Sequence, residues 1–170
     1  MWPGQARKDK RPLRACIYAP VPSPHDAPSG IAFIAKLIED MADECMPFPM
    51  FYFRWTIDAD WCGRRQMIGW NGALSDEDLS RVSTAFIKRQ QALLGPAAKL
   101  PTNEVQSNFE LMLDSIETSL KKSFFFFGTR PSIAEFGLFG QFSQYVVDPY
   151  ISSLTKKRAV RAFQWTQLLD

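Results

Sequence analysis

The apolar positions of this chain recur at helical spacing over most of its length. Ile31, Ile34, Leu37, Ile38, Met41 and Cys45 fall on one face, with Lys36, Glu39, Asp40, Asp43 and Glu44 opposite, which predicts an amphipathic helix. Met46-Pro47-Phe48-Pro49 interrupts or kinks it, and a second helical run extends from Met50 to about Ile68. Trp70-Asn71-Gly72 reads as a turn. Ser75-Asp76-Glu77-Asp78 is a start signal, a hydroxyl N-cap followed three residues on by an acid. The helix it opens carries Leu79, Val82, Phe86, Ile87, Leu93 and Leu94 and stops at Gly95-Pro96. A further helix after Pro101-Thr102 is marked by Val105, Phe109, Met112, Leu113, Ile116 and Leu120, and a last one by Val160, Phe163, Trp165, Leu168 and Leu169. No segment alternates with period two for long enough to build a sheet. The expected class is all-α, a bundle of five to six helices.

Residues 1–30 read differently. Pro3, Pro12, Pro20, Pro22, Pro24 and Pro28 make up half of the twelve prolines, a density that excludes helix and suits a paired strand poorly. The division expected is an irregular, basic arm over 1–30 and a helical domain over 31–170. Only Ile17 and Tyr18 could form a short strand in the arm, and its basic run (Arg7, Lys8, Lys10, Arg11) could touch an acidic partner or be simply solvated.

Composition narrows the function classes. The 170 residues are 46% hydrophobic and 22% charged, with a formal net charge of +2, a balance that does not suggest nucleic acid as a partner. One histidine and three scattered cysteines (Cys16, Cys45, Cys62) give no zinc set, so no metal is expected, and they point to a reducing, cytoplasmic compartment. No uncharged apolar stretch approaches the roughly 20 residues that span a bilayer, so no membrane partner is expected. The apolar segment Ala15–Val21 is short and holds Pro20, against a cleaved signal peptide. Cys62 precedes Gly63-Arg64-Arg65, whose cations could lower a thiol pKa, yet no histidine lies near it in sequence. A small buried residue is the plainer reading. Asp58/Asp60 and Asp76/Asp78 are two apart and would not face each other on a helix. No catalytic residue is assigned.

The segment from Phe124 to Pro149 carries the most information. Ser132 is placed as an N-cap, its hydroxyl accepting from the Glu135 backbone N–H while the Glu135 carboxylate reaches back to the Ser132 N–H. Pro131 and Phe136 occupy the two positions of a hydrophobic staple. From Phe136 to Val147 no residue is charged, so this helix is expected at the centre of the bundle, with Gly137 and Gly140 admitting a close neighbour. Asp148-Pro149 ends it.

The Phe-rich stretch, Gly128-Thr129-Arg130-Pro131-Ser132, Ile133-Ala134-Glu135-Phe136 and the uncharged helix ending at Asp148-Pro149 together resemble the C-terminal domain of the glutathione transferase superfamily. Glu135 stands where that pattern usually has Asp. Upstream, Leu37 to Glu44 followed by Phe51-Tyr52-Phe53-Arg54-Trp55 resembles the first long helix pair of a bacterial branch, and Trp165 matches downstream; the likeness covers about Ile31 to Asp170.

The resemblance implies the electrophile-binding half of a two-domain enzyme. Its thioredoxin-like half needs roughly 80 residues, a single βαβ unit alone taking about 30, and here thirty proline-broken residues precede Ile31. The chain is therefore expected to hold no glutathione site, no cofactor and no transferase activity alone, glutathione being implied only for an intact two-domain relative. The aromatics of the second run (Phe51, Tyr52, Phe53, Trp55, Trp61) surround their helix, more faces than one core should cover. Tyr52 and Trp55 are expected to line an electrophile pocket, with Arg54 orienting an anionic or polar group; core packing is the alternative for each. The partners that fit are a thioredoxin-like domain or a second copy meeting an exposed apolar face, and a hydrophobic small molecule. A non-catalytic interaction module of the same fold is the second functional reading, and an unrelated bundle sharing the cap is the third.

Overall fold

A computed structural model describes residues 29–128 and 130–169. The expected proline-rich arm, including Ile17, Tyr18 and the basic run, lies outside these residues except for its last two positions, which already belong to the first helix. Among the described residues the chain is helical, with no strand beyond an isolated bridge between Phe125 and Gly128. The all-α class holds. The helices are α1 (Ser29–Glu44), α2 (Pro47–Thr56), α3 (Ala59–Trp70), α4 (Asp76–Leu94), α5 (Thr102–Leu120), α6 (Ile133–Tyr145), α7 (Pro149–Arg158) and α8 (Val160–Leu169), with a 3-10 segment Gly95–Lys99 between α4 and α5.

The starts and stops follow local chemistry. Pro47 occupies the first turn of α2, where its missing N–H costs nothing. Ser75 Oγ accepts from the Asp78 N–H at 3.1 Å and opens α4, whose first turn holds Asp76, Glu77 and Asp78. Gly95 ends α4 with φ +53°, a conformation that costs glycine little.

Two departures raise the number of helices above the five to six expected. The run from Met50 to Ile68 is not one helix: it begins at Pro47 and breaks at Ile57–Asp58, where the Asp58 carboxylate accepts from the Tyr150 N–H at 2.7 Å instead of capping α3. No breaker residue marks that position. In addition, Asp148-Pro149 does not only end α6; it starts α7, with Pro149 in the first turn and Lys156, Lys157 and Arg158 suiting the negative end of the helix.

The centre of the bundle is α2. It touches α1, α3, α4, α5, α6 and α7, so Tyr52, Phe53 and Trp55 are covered, while Phe48 in its first turn stays exposed. Phe53 packs on Phe109 and Tyr150, with ring centroids 6.1 and 5.1 Å away, and Trp55 packs on Phe86 at 5.5 Å. Full burial of one such side chain contributes about 1.5–3 kcal/mol. The uncharged helix α6 is not central. Ala134, Leu138, Phe142 and Tyr145 face inward, whereas Phe136 is 51% exposed and Gly140 and Val147 are also at the surface. Lack of charge did not mean burial all round, because Phe136 and Val147 are left in water and Gly140 has no side chain to bury. The glycines divide the same way: a Cβ on Gly137 would lie 3.3 Å from the Ala42 Cβ and the Glu39 Cα, where α1 crosses closely, while nothing approaches Gly140 within 4 Å.

Candidate functional site

An open cleft of about 400 Å³ lies where α1 gives way to α2, walled on the far side by α5. The break at Cys45–Met46 makes it: the chain turns there, and the Met46 carbonyl is fixed by the Tyr145 hydroxyl, which donates to it at 2.6 Å. Burial raises the Tyr145 pKa, so this donor keeps its proton. Met41 and Cys45 come from α1, and Phe48 and Pro49 from the first turn of α2. Val105, Asn108, Phe109 and Met112 come from α5, and Leu100 and Glu104 sit at the mouth. Two methionines and the exposed Cys45 give the walls polarizable, adaptable side chains. Glu104 is the one charged residue of the lining, with Asn108 as its amide. Such a site takes an apolar or aromatic group and offers a carboxylate and an amide to a polar head, in a volume within the range of small-molecule pockets.

Tyr52 supports this cleft from behind. Its hydroxyl donates to the Leu100 carbonyl at 2.8 Å and lies 3.1 Å from Thr102 Oγ1, tying the cleft's far lip to the central helix. Tyr52 and Trp55, expected as pocket lining, are each 2% exposed in the core, and neither lines the cleft. Arg54 is buried too. Its Nε donates to Asp148 Oδ2 at 2.5 Å and its Nη2 to Gln144 Oε1 at 3.3 Å, and Arg65 Nη2 holds the other Asp148 oxygen at 3.1 Å. The guanidinium is occupied inside the protein by a partner 94 residues away in sequence.

Cys62 is fully buried beside this ionic group. Desolvation, with the charge of Asp148 adding to it, pushes its thiol up to about 12. It is a protonated core thiol at neutral pH, the plainer of the two sequence readings. Asp58, which holds the α7 backbone, is also raised, chiefly by burial.

The loop before α6 is organised by Glu135. Its Oε2 accepts from the Ser132 N–H at 2.7 Å and the Ser132 hydroxyl at 2.6 Å, and its Oε1 accepts from the Phe126 N–H at 2.5 Å. The Ser132 hydroxyl in turn accepts from the Ala134 N–H at 3.2 Å and from the Glu135 N–H, the reciprocal capping expected from the spacing. The carboxylate, 1% exposed, thus closes a capping box and also fastens the Phe-rich turn. Pro131 is buried but its staple partner Phe136 is half in water.

The cleft residues were missed because Val105, Phe109 and Met112 read as an ordinary core stripe. The polar Asn108 inside that stripe was the available signal. Among the described residues no group of His, Cys, Asp or Glu could hold a metal ion, and no helix is long and apolar enough to cross a membrane. No protein-family model matches the sequence, and neither a curated protein nor a solved structure matches the chain.

Proposed function

We propose that residues 29–169 form the helical, electrophile-binding half of a glutathione transferase-like protein, taking an apolar aromatic small molecule in the cleft between α1, α2 and α5 and carrying out no transfer chemistry alone. The cleft is the observation that carries this reading. Its walls are apolar and sulfur-rich, its polar groups are the exposed Glu104 and Asn108, and the buried Cys62 beside the Arg54–Asp148 pair is no activated nucleophile. The resemblance of the Pro131–Phe136 segment and the α6 sequence to that superfamily supports the family assignment.

Titration of the full chain with the neutral dye Nile red tests it. Saturable binding is expected, abolished in Asn108→Trp, which fills the cleft from its exposed wall without touching the core. Calorimetry with glutathione is expected to give no heat of binding. Equal dye affinity in Asn108→Trp would refute the cleft, and a glutathione isotherm would refute the absence of a thiol-substrate site.

A second reading, a non-catalytic interaction module of the same fold, is favoured by one feature. Ile31, Phe33, Ile34 and Leu37 on α1 are all large, apolar and exposed, Phe33 to 65%, and such a patch suits a protein partner or a second copy. Sedimentation across a concentration series distinguishes it: reversible dimerisation lost in Phe33→Ser supports this reading.

A further inference from the structure

The residues that α5 gives to the cleft fall in two rows. Glu104 and Asn108, one turn apart, are exposed and form its outer edge, while Val105 and Phe109, one turn apart on the next row, are buried and form its floor. Met112 ends the floor two turns beyond Glu104, a rise of about 12 Å along the helix. A guest lying along α5 therefore meets apolar groups over its length and a carboxylate at one end.

That carboxylate is unanswered. Glu104 is the one charged side chain of the lining, and it makes no ion pair and no side-chain hydrogen bond among the described residues. The start of α5 beside it carries about half a positive charge, which a full negative charge outweighs. Lys99, the nearest cation in sequence, is exposed at the end of the 3-10 segment and neither lines the cleft nor pairs with Glu104. Lys36 is held by Glu39 at 3.7 Å, and Arg54 is turned inward to Asp148. Asp40, Asp43 and Glu44 lie off the face of α1 that lines the cleft, so Glu104 sets the sign of charge at its mouth. We infer that the occupant of the cleft is an arylalkyl ammonium. Its ring and methylenes rest on Val105, Phe109 and Met112, its cationic head meets Glu104, and the Asn108 side-chain carbonyl accepts a second N–H from that head. A neutral guest of the same shape forgoes the ion pair, and an anionic one is repelled. The inference rests on the cleft reading and narrows it: the charge of the head, as well as apolar bulk, selects the guest.

Displacement of Nile red from the full chain by three compounds of one shape tests it. 4-Phenylbutylammonium, 4-phenylbutanol and 5-phenylpentanoate share a ring and a chain of methylenes and differ in the charge of the head. The ammonium is expected to displace the dye at about two- to fivefold lower concentration than the alcohol, the range that one exposed ion pair supplies. The carboxylate should need a higher concentration than either. Salt at about 1 M, which screens charges beyond roughly 3 Å, should bring the ammonium to the level of the alcohol. Glu104→Gln should do the same at low salt. Both compounds are measured on the same variant, so any general change in the cleft cancels in their ratio. Equal potency of ammonium and alcohol in the wild type, or a preference that survives Glu104→Gln, would overturn the inference; dye binding that is lost in Asn108→Trp then leaves the cleft reading standing. A carboxylate that displaces the dye best would also overturn it, and would give the mouth to Lys99. Absence of saturable Nile red binding sinks the cleft reading itself, and the inference with it.

Discussion

Removing Asp148 should expose how much of this fold depends on one buried ionic contact. Asp148 is 1% exposed and Arg54 7%, and the two are joined by the Nε hydrogen bond at 2.5 Å. Asp148→Ala leaves a guanidinium in the core with only Gln144 to accept from it, and stranding a buried charge costs about 3–5 kcal/mol. The second pair, to Arg65, adds little because Arg65 reaches solvent. Loss of capping is a small confound: the Asp148 side chain makes no cap hydrogen bond to α7, and its charge near that helix start is worth about 0.5 kcal/mol. In a domain of this size the loss corresponds to about 10–15 °C in Tm. The paired replacement Arg54→Met/Asp148→Leu should recover most of the stability, since exchanging a buried ion pair for apolar groups ranges from neutral to stabilising by about 1–4 kcal/mol. Urea unfolding followed by circular dichroism gives all four corners of the cycle. Asp148→Ala within about 1 kcal/mol of wild type, or a double variant as unstable as the sum of the singles, would mean that the buried pair is not what holds α2 to α7.

Gly140→Ala, with open space around it, should stabilise by about 1 kcal/mol through helix propensity. Gly137→Ala should destabilise by about 1–2 kcal/mol, because the new methyl presses on α1 at 3.3 Å and overpacking outweighs the propensity gain; thermal melts of the two rank them. Glu135→Asp withdraws the carboxylate by one methylene, so it should keep the Ser132 contact and lose the Phe126 N–H, raising hydrogen exchange at Phe126 while the start of α6 stays protected. Alkaline pH should weaken the fold. The Cys62 thiol, ordinarily near 9.0, is held at about 12 when folded, so between those values the unfolded chain has released a proton that the native chain keeps, and stability falls as pH rises. Urea midpoints across that range should fall less steeply in Cys62→Ala.

The sequence revealed what local chemistry determines. The spans of α1, α4, α5 and α8 were legible to within a few residues from periodicity, the Ser75 cap, Gly95-Pro96 and Pro101-Thr102. The break at Ile57–Asp58 was not, because its cause is the Asp58–Tyr150 contact made by residues 92 apart. α7 carries readable signals, proline at its start and three cations at its end, but Asp148-Pro149 serves equally as the stop of α6, and the stop is the more evident of its two roles. The same limit governs the site. Aromatics all round α2 imply a surplus face only if one layer covers the helix, and here several helices cover Tyr52, Phe53 and Trp55, leaving Phe48 to the cleft and Trp61, on α3, exposed. Arg54 could not be read as internal without knowing that Asp148 would meet it.

Tyr52 belongs to both the core and the cleft, because its ring is buried while its hydroxyl ties the cleft's lip. Its ring packs against Phe53 at 5.4 Å, and its oxygen holds Leu100 and Thr102 at the lip. Tyr52→Phe keeps the ring and removes only the tether. A neutral hydrogen bond contributes about 0.5–1.5 kcal/mol, and Leu100 is exposed enough for its carbonyl to find water, so the cost to global stability should sit at the low end of that range. The cleft should lose more. Freed of its tether, the segment joining the 3-10 turn to α5 samples positions in which the mouth is wider and Leu100 no longer closes over an apolar guest. If the tethered form is then about one-fifth populated, dye affinity falls about fivefold. Nile red titration and urea unfolding on the same sample separate the two effects. An unchanged dye affinity beside a measurable loss of stability would mean that the hydroxyl serves the core alone, and that the cleft owes its shape to the turn at Cys45–Met46.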